Sequence, residues 1–263
     1  MIIHDESFIT QNHKNNVQDL QKSKIKKPEL LKNPTVLLLG LPGPGLIGTM
    51  AMTYIIHSLK MDLMGEIETN PASIVFIDNG QIVGPVRIYK GGKIFSILSD
   101  IPIDYDNAVD FTNAVIDFSR KNKVDLIIFI SGIHVPDRNV SNLKTYGLVT
   151  DERLEKTLYD NEIPKFLSGV ISGPDATILT QLKNSTIPTI ILHTECNYFF
   201  PDPDAAMQTI KTLSHIIKIE VDLTEFKKQI DYLRLQNRQL MEETLNVLQA
   251  QREQPTVPPQ IYK

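Results

Sequence analysis

Gly43-Pro44-Gly45-Leu46-Ile47-Gly48 satisfies G-x-G-x-x-G directly after the apolar run "PTVLLLG" and before an apolar-periodic stretch. In that strand-to-helix setting such a turn cradles a dinucleotide pyrophosphate. Glu66 and Glu68 follow about twenty residues on, where a ribose-binding acid would be sought. The chemistry needs backbone N–H groups aimed at phosphate, and Pro42 and Pro44 remove two of them. "MGEIETN" makes a poor second parallel strand, and no second βαβ unit comes quickly after it. Glycines here also let a helix start close beside a strand. Nucleotide binding is the weaker reading.

Three other polar groups merit a chemical reading. Ser131, His134, Asp137 and Arg138 follow the apolar run "VDLIIFI", at a strand's carboxyl end, and could receive a phosphate or a nucleoside. Nothing in their spacing orders them as nucleophile, base and orienter. Asp100, Asp104, Asp106 and Asp110 precede or open a helix, where acids favour the dipole more cheaply than they build a metal site. In "HTECN", alternation places His193 and Glu195 on one strand face, next to Cys196. Two such residues make no zinc site without distant partners. The sequence therefore assigns no catalytic, cofactor-binding or metal-binding residue, and the expectation is a protein that is not an enzyme.

The last nine residues, "PTVPPQIYK", pose a different question. A stiff, proline-rich spacer ends in an apolar residue, an aromatic one and a lysine bearing the α-carboxylate. Such an end suits insertion into another molecule.

The elements that would position these groups are legible in outline. The chain has 263 residues, 41% of them hydrophobic, which suits one α/β domain with appendages. A net charge of −4 with both signs mixed argues against a nucleic-acid binder carried by bulk charge. One cysteine, Cys196, excludes an internal disulfide framework and fits a reducing cytoplasm. No apolar run approaches ~18 residues, and the N-terminus lacks signal-peptide order, so neither membrane nor secretion is expected.

Residues 1–33 read as a polar arm. Residues 34–220 read as the α/β domain. Within it, Thr35 to Leu39 form a buried strand, followed by a helix with Leu46, Ile47, Met50, Tyr54 and Ile55 apolar. Asn79-Gly80 and Gly91-Gly92 punctuate three antiparallel strands, since tight primed turns need positive φ. An amphipathic helix with Val109, Ala114, Val115 and Phe118 inward precedes the strand "VDLIIFISG". A short polar helix follows at "TDERLEKTLYDN", where Thr150 either caps it or ends a strand, then a helix at "GPDATILTQLKN" and a strand at "IPTIILHTE". Asp202 as N-cap and Pro203 at the first position open another helix. Helices alternating with buried strands imply a mostly parallel sheet covered on both faces, with an antiparallel meander.

Residues 221–253 read as a long C-terminal helix. Leu223, Phe226, Ile230, Leu233, Asn237, Leu240, Thr244 and Val247 form a heptad seam, which either pairs with another helix or packs back on its own domain. Residues 254–263 are the flexible tail; a polyproline-like spacer over 254–260 would reach ~20 Å.

Gly173-Pro174-Asp175 opening a helix, Ile187-Pro188 opening a strand and "PDPDAA" (Pro201 to Ala206) opening the next helix occur in that order. With "GLPGPGLIG" and the "ISGI" exit at Ile130 to Ile133, this order resembles the proteasome assembly chaperone family, specifically its archaeal homologues. The resemblance covers about residues 35–225. It implies a fold similar to that of purine nucleoside phosphorylases without the working site, a glycine-rich turn with no nucleotide assigned, and a role in building or activating the proteasome core particle. It also implies a cytoplasmic homo-oligomer, a tetramer by the archaeal resemblance. Through it, the ending matches the hydrophobic–tyrosine–any-residue mode of docking between α-ring subunits. Ile261 would be the hydrophobic member, Tyr262 the aromatic, and Lys263 the free position whose carboxylate meets a pocket lysine. The alternative is a nucleoside- or dinucleotide-binding enzyme on the same scaffold.

Overall fold

The computed structural model describes residues 33–68, 74–78, 80–135, 138–197, 200–228 and 230. The expected arm lies outside them except for Asn33, as do residues 231–253 of the expected long helix and the whole tail, 254–263.

β1 (Val36–Gly40) is buried at every position. Val36 and Leu38 enter the core on one face of the sheet, Leu37 and Leu39 the core on the other. This double burial explains why the run is continuously apolar rather than alternating. The same holds for the stretch 126–130 of β7 (Leu126–His134) and 190–192 of β9 (Thr189–Cys196), each rich in isoleucine.

The main sheet has the order β2-β5-β6-β1-β7-β9-β8, with β2 (Asp62–Glu66), β5 (Val86–Gly91), β6 (Ile94–Ser99) and β8 (Thr145–Val149) as the other strands. Its four central strands, β6, β1, β7 and β9, run parallel. The pairs β2–β5, β5–β6 and β8–β9 are antiparallel. β3 (Phe76–Asp78) and β4 (Gln81–Val83) form a separate two-stranded ribbon between β2 and β5.

The glycine-punctuated stretch thus holds four strands rather than three, turning at Gly80 (φ 78°) and Gly92 (φ 60°) as the hairpin signals imply. The segment around Glu66 is an antiparallel edge strand, not a second parallel one. β8 is foreshadowed in the sequence only by Thr150 as the end of a strand. Gly147 interrupts its pattern because Leu158 packs there, 2.6 Å from where a Cβ would stand.

α1 (Ile47–Ser58) and α5 (Pro203–Ile217) cover one face; α2 (Ala108–Lys121) and α4 (Pro174–Asn184) cover the other. α3 (Glu155–Asp160) follows a short 3-10 turn whose start is capped by Asp151. Two expected faces shift. Leu46 is exposed in a left-handed conformation, and α1 buries Ile47, Gly48, Ala51, Met52 and Ile55 instead. Val109 is also exposed, because the buried stripe of α2 runs through Ala108, Phe111, Thr112, Val115 and Ile116.

Residues 224–228 are helical. Phe226 and Ile230 are buried in the core shared by α1 and α5, and the Phe226 ring lies 4.5 Å from that of Tyr54. The first positions of the heptad seam therefore pack on their own domain. Among the described residues no helix is long and apolar enough to cross a membrane.

Candidate functional site

In an open α/β sheet, ligands bind where strand order reverses, at the carboxyl ends of the strands. Here that point lies between β1 and β7, since the chain leaves β1 toward β6 and leaves β7 toward β9. The glycine-rich turn, Ser131, Asp175 and the start of α5 meet there.

Packing accounts for most of the glycines. A Cβ on Gly40 would lie 2.2 Å from Met52 Cγ, and one on Gly48 would lie 2.6 Å from the Leu41 carbonyl oxygen. Those two glycines let α1 cross tightly over the end of β1. Gly45, at φ 65°, has Asn197 and Cys196 at 3.0 Å and Asp202 at 3.2 Å from the same virtual position. Gly132 of β7 admits the Pro44 carbonyl and the Cys196 Sγ, at 2.5 and 2.6 Å. The turn is pressed onto the chain's own α5 side, where the Gly45 carbonyl accepts the Asp202 N–H at 2.9 Å. Only Gly43 has ordinary room, and its neighbours are the Ser131 hydroxyl and the Asp175 carboxylate, an unsuitable group to meet a pyrophosphate. Glu66 accepts the Gly84 N–H rather than serving a ribose.

Asp202 caps α5 as its position before Pro203 implies. One oxygen accepts the Ala205 N–H at 3.2 Å and the other accepts the Asn197 N–H at 2.8 Å. Arg138 completes the set with an ion pair to Asp202 at 2.5 Å, and both side chains are largely shielded. Of the four polar residues grouped at the carboxyl end of β7, Arg138 thus holds a structural carboxylate, His134 stands exposed at the strand's end, and Asp137 lies outside the described residues. The Cys196 thiol is pushed up to about 12, by burial first and by the Asp202 charge second, against Arg138. It is no nucleophile at neutral pH.

Ser131 donates to Asp175 Oδ2 at 2.8 Å. Burial raises the Asp175 carboxyl above its ordinary range, and the Ser131 bond partly offsets that. His193 pairs with Ser131 across the β7–β9 ladder, so the two share a face. Yet neither imidazole nitrogen has a hydrogen-bond partner, and burial lowers the ring to about 4. The serine is wired to an acid and not to the histidine, which leaves the trio without a nucleophile–base relay. Phe166 stacks over His193 at 5.6 Å and closes the imidazole from solvent.

Glu195 shares the His193 face, as alternation implies, and accepts the Tyr146 hydroxyl at 2.9 Å and the Lys144 N–H at 3.2 Å. The Tyr146 phenol is raised by that hydrogen bond, then by burial and the Glu195 charge. Among the described residues no three of His, Cys, Asp and Glu stand together to hold a metal ion. Asp100 pairs with Arg87 rather than capping α2, while Asp110 lies in that helix's first turn. Sequence reasoning missed Asp175, Tyr146 and Phe166. Asp175 was visible only as a helix-opening residue, and no local period marks the other two.

Ile261, Tyr262 and Lys263 lie outside the described residues.

A mostly parallel sheet with helices on both faces and a glycine turn packed against its own α5 defines the class: residues 37–241 match the PAC2 family, and the chain belongs to it. Among its relatives is the uncharacterized protein MJ0106 of Methanocaldococcus jannaschii, 25% identical over 239 residues, 89% of this chain and 95% of that one. The fold is that of Pyrococcus furiosus PbaA, described as an archaeal homolog of proteasome-assembly chaperone. That match has a TM-score of 0.75 and 21% identity, and it covers 86% of this chain and 94% of the other. Pyrococcus furiosus PbaB, described as an archaeal proteasome activator, matches with a TM-score of 0.67 and 20% identity, over 81% and 96% of the two chains.

Proposed function

We propose that this chain is a non-catalytic, ATP-independent proteasome assembly chaperone or activator, docking through Ile261, Tyr262 and Lys263 into pockets between α-ring subunits of the core particle. The observation that carries the reading is PAC2 membership across residues 37–241, in a fold shared with PbaA and PbaB. The packing at the carboxyl ends of the strands supports it: Gly45 lies against Asp202, Ser131 is held by Asp175 and His193 is covered by Phe166.

The tail energetics favour a multivalent protein. Burying Ile261 and most of Tyr262 gains ~1.5–3 kcal/mol each, and a carboxylate–ammonium bond adds ~1.5–3 kcal/mol. Ordering three residues costs ~1–2 kcal/mol apiece, and association has its own entropy cost. One tail docks weakly; several on one homo-oligomer dock usefully.

The test is a pull-down of α-ring subunits with the full chain, a chain lacking 261–263, and Tyr262→Ala. The full chain is expected to capture the ring and both variants to lose it while keeping their fold. Undiminished capture by the tail-less chain overturns the docking mechanism. A second reading, a nucleoside- or dinucleotide-binding enzyme, draws on the Ser131–Asp175 pair at the switch point. It requires a thermal shift with nucleosides, phosphate or NAD that Gly45→Val abolishes.

A further inference from the structure

An open groove of about 530 Å³ lies on the α1 face of the sheet, between the second half of α1 and strands β5 and β6. The way α1 ends shapes one wall. The chain leaves the helix through Lys60 in the left-handed conformation, at φ 49°, and the Met61 N–H returns to the Ile56 carbonyl at 2.9 Å. That fold-back buries Met61 and leaves Lys60 and His57 exposed along the groove.

The opposite wall comes from β5. Arg87 is the cross-strand partner of Leu98, so the two share a face, and buried Leu98 forms part of the groove floor. The Arg87 guanidinium is held between two rings, 5.5 Å from that of Phe76 and 6.0 Å from that of Tyr89, and it pairs with Asp100 just past β6. Its Nε is buried without a hydrogen-bond partner. Glu66, the cross-strand neighbour of Arg87 on β2, accepts the Gly84 N–H. Among the described residues no ion pair engages Lys60 or His57.

Basic residues at the end of a helix are ordinary by themselves, since they suit the dipole there. Here they face a fixed guanidinium across an apolar floor of Leu98, Met61 and Ile56. An apolar lining with a few converging polar groups, in a volume of this order, is the make-up of a small-molecule site. We infer that the groove binds a small organic acid, its carboxylate toward Lys60, His57 and Arg87 and its apolar body on that floor. Asp100 already offsets part of the positive charge, so a single negative charge is matched, whereas a doubly charged phosphate meets repulsion. None of these residues belongs to the switch point between β1 and β7, and the site does not rest on tail docking.

The test is isothermal titration calorimetry of the full chain with 2-naphthoate, with 2-naphthamide as the uncharged molecule of the same shape, and with 2-naphthyl phosphate. The carboxylate is expected to bind saturably, the amide about tenfold more weakly or worse, and the phosphate more weakly than the carboxylate. Lys60→Met is expected to weaken 2-naphthoate about tenfold and Lys60→Arg to retain it. Lys121→Met, on the α2 face, is expected to leave binding unchanged, which excludes general attraction to surface lysines. Arg87→Met, checked for an unchanged circular dichroism spectrum, is expected to weaken binding as Lys60→Met does; should it misfold, the exposed Lys60 variants decide the matter. No saturable binding of 2-naphthoate, an amide or phosphate that binds as tightly, or a Lys60→Met chain that binds like wild type each overturns the inference.

Discussion

The His193 imidazole lies against the Phe166 ring, with centroids 5.6 Å apart and planes 23° from parallel, and neither of its nitrogens has a partner. A buried polar ring without hydrogen bonds is tolerated only in its neutral form. The arrangement makes this face of the sheet sensitive to acid.

Burial lowers the folded His193 to about 4, against an ordinary 6.5. The unfolded chain therefore takes up the proton first. The stabilisation is complete above about pH 6.5, is lost as pH falls toward 4 and changes no further below, a total of about 3 kcal/mol. The raised Asp175 carboxyl acts in the opposite sense, since its folded form binds a proton more readily than its unfolded form. Comparing wild type with His193→Phe at matched pH isolates the histidine. Urea unfolding at pH 7 and pH 4.5 is expected to show a fall in the wild type that the variant lacks.

The glycines of the turn are expected to rank by packing and not by phosphate approach. Gly40→Ala and Gly48→Ala place a methyl within 2.6 Å of fixed atoms and should cost about 1–3 kcal/mol or more. Gly43→Ala meets nothing closer than 3.5 Å and should stay within about 0.5 kcal/mol of wild type. Denaturant midpoints of the three variants check the order; equal losses at all three positions would refute it.

Asp202 holds Arg138, the Asn197 N–H and the Ala205 N–H at once. Asp202→Ala leaves a shielded guanidinium without its counter-charge, and about 3–5 kcal/mol of stability should go with it. Asp202→Asn keeps an oxygen for the cap and should lose less. Adding Arg138→Met to Asp202→Ala should recover part of the loss, measured as a double-mutant cycle.

Phe226 and Ile230 belong to the domain core, and the Tyr54 hydroxyl donates to the Asp222 carbonyl beside them. Phe226→Ala should cost about 3–5 kcal/mol and Ile230→Ala about 2–5 kcal/mol. Truncation at residue 221 should lower the melting temperature of the domain itself. A truncated domain as stable as the full chain would show that this helix start contributes no packing.

The sequence alone determined the elements governed by local rules. Short apolar runs marked β1, β7 and β9, because where a strand is buried on both faces successive positions are apolar rather than alternating. Asp202 before Pro203 marked α5, and glycines at positive φ marked two turns, since capping and φ limits act within a few residues. The ordered motifs, from the glycine-rich turn to Ala206, suggested a family resemblance, and the match over residues 37–241 shows PAC2 membership. Tertiary structure decided what meets what. Ser131 bonds Asp175 44 positions away, Asp100 turns to Arg87 instead of a helix end, and β8 exists because β9 offers it an edge. It also took Phe226 and Ile230 from an apolar seam into the domain core. A hydrophobic period reports that a face must leave water, but what covers it depends on contacts between segments far apart in the chain, and no local pattern encodes those.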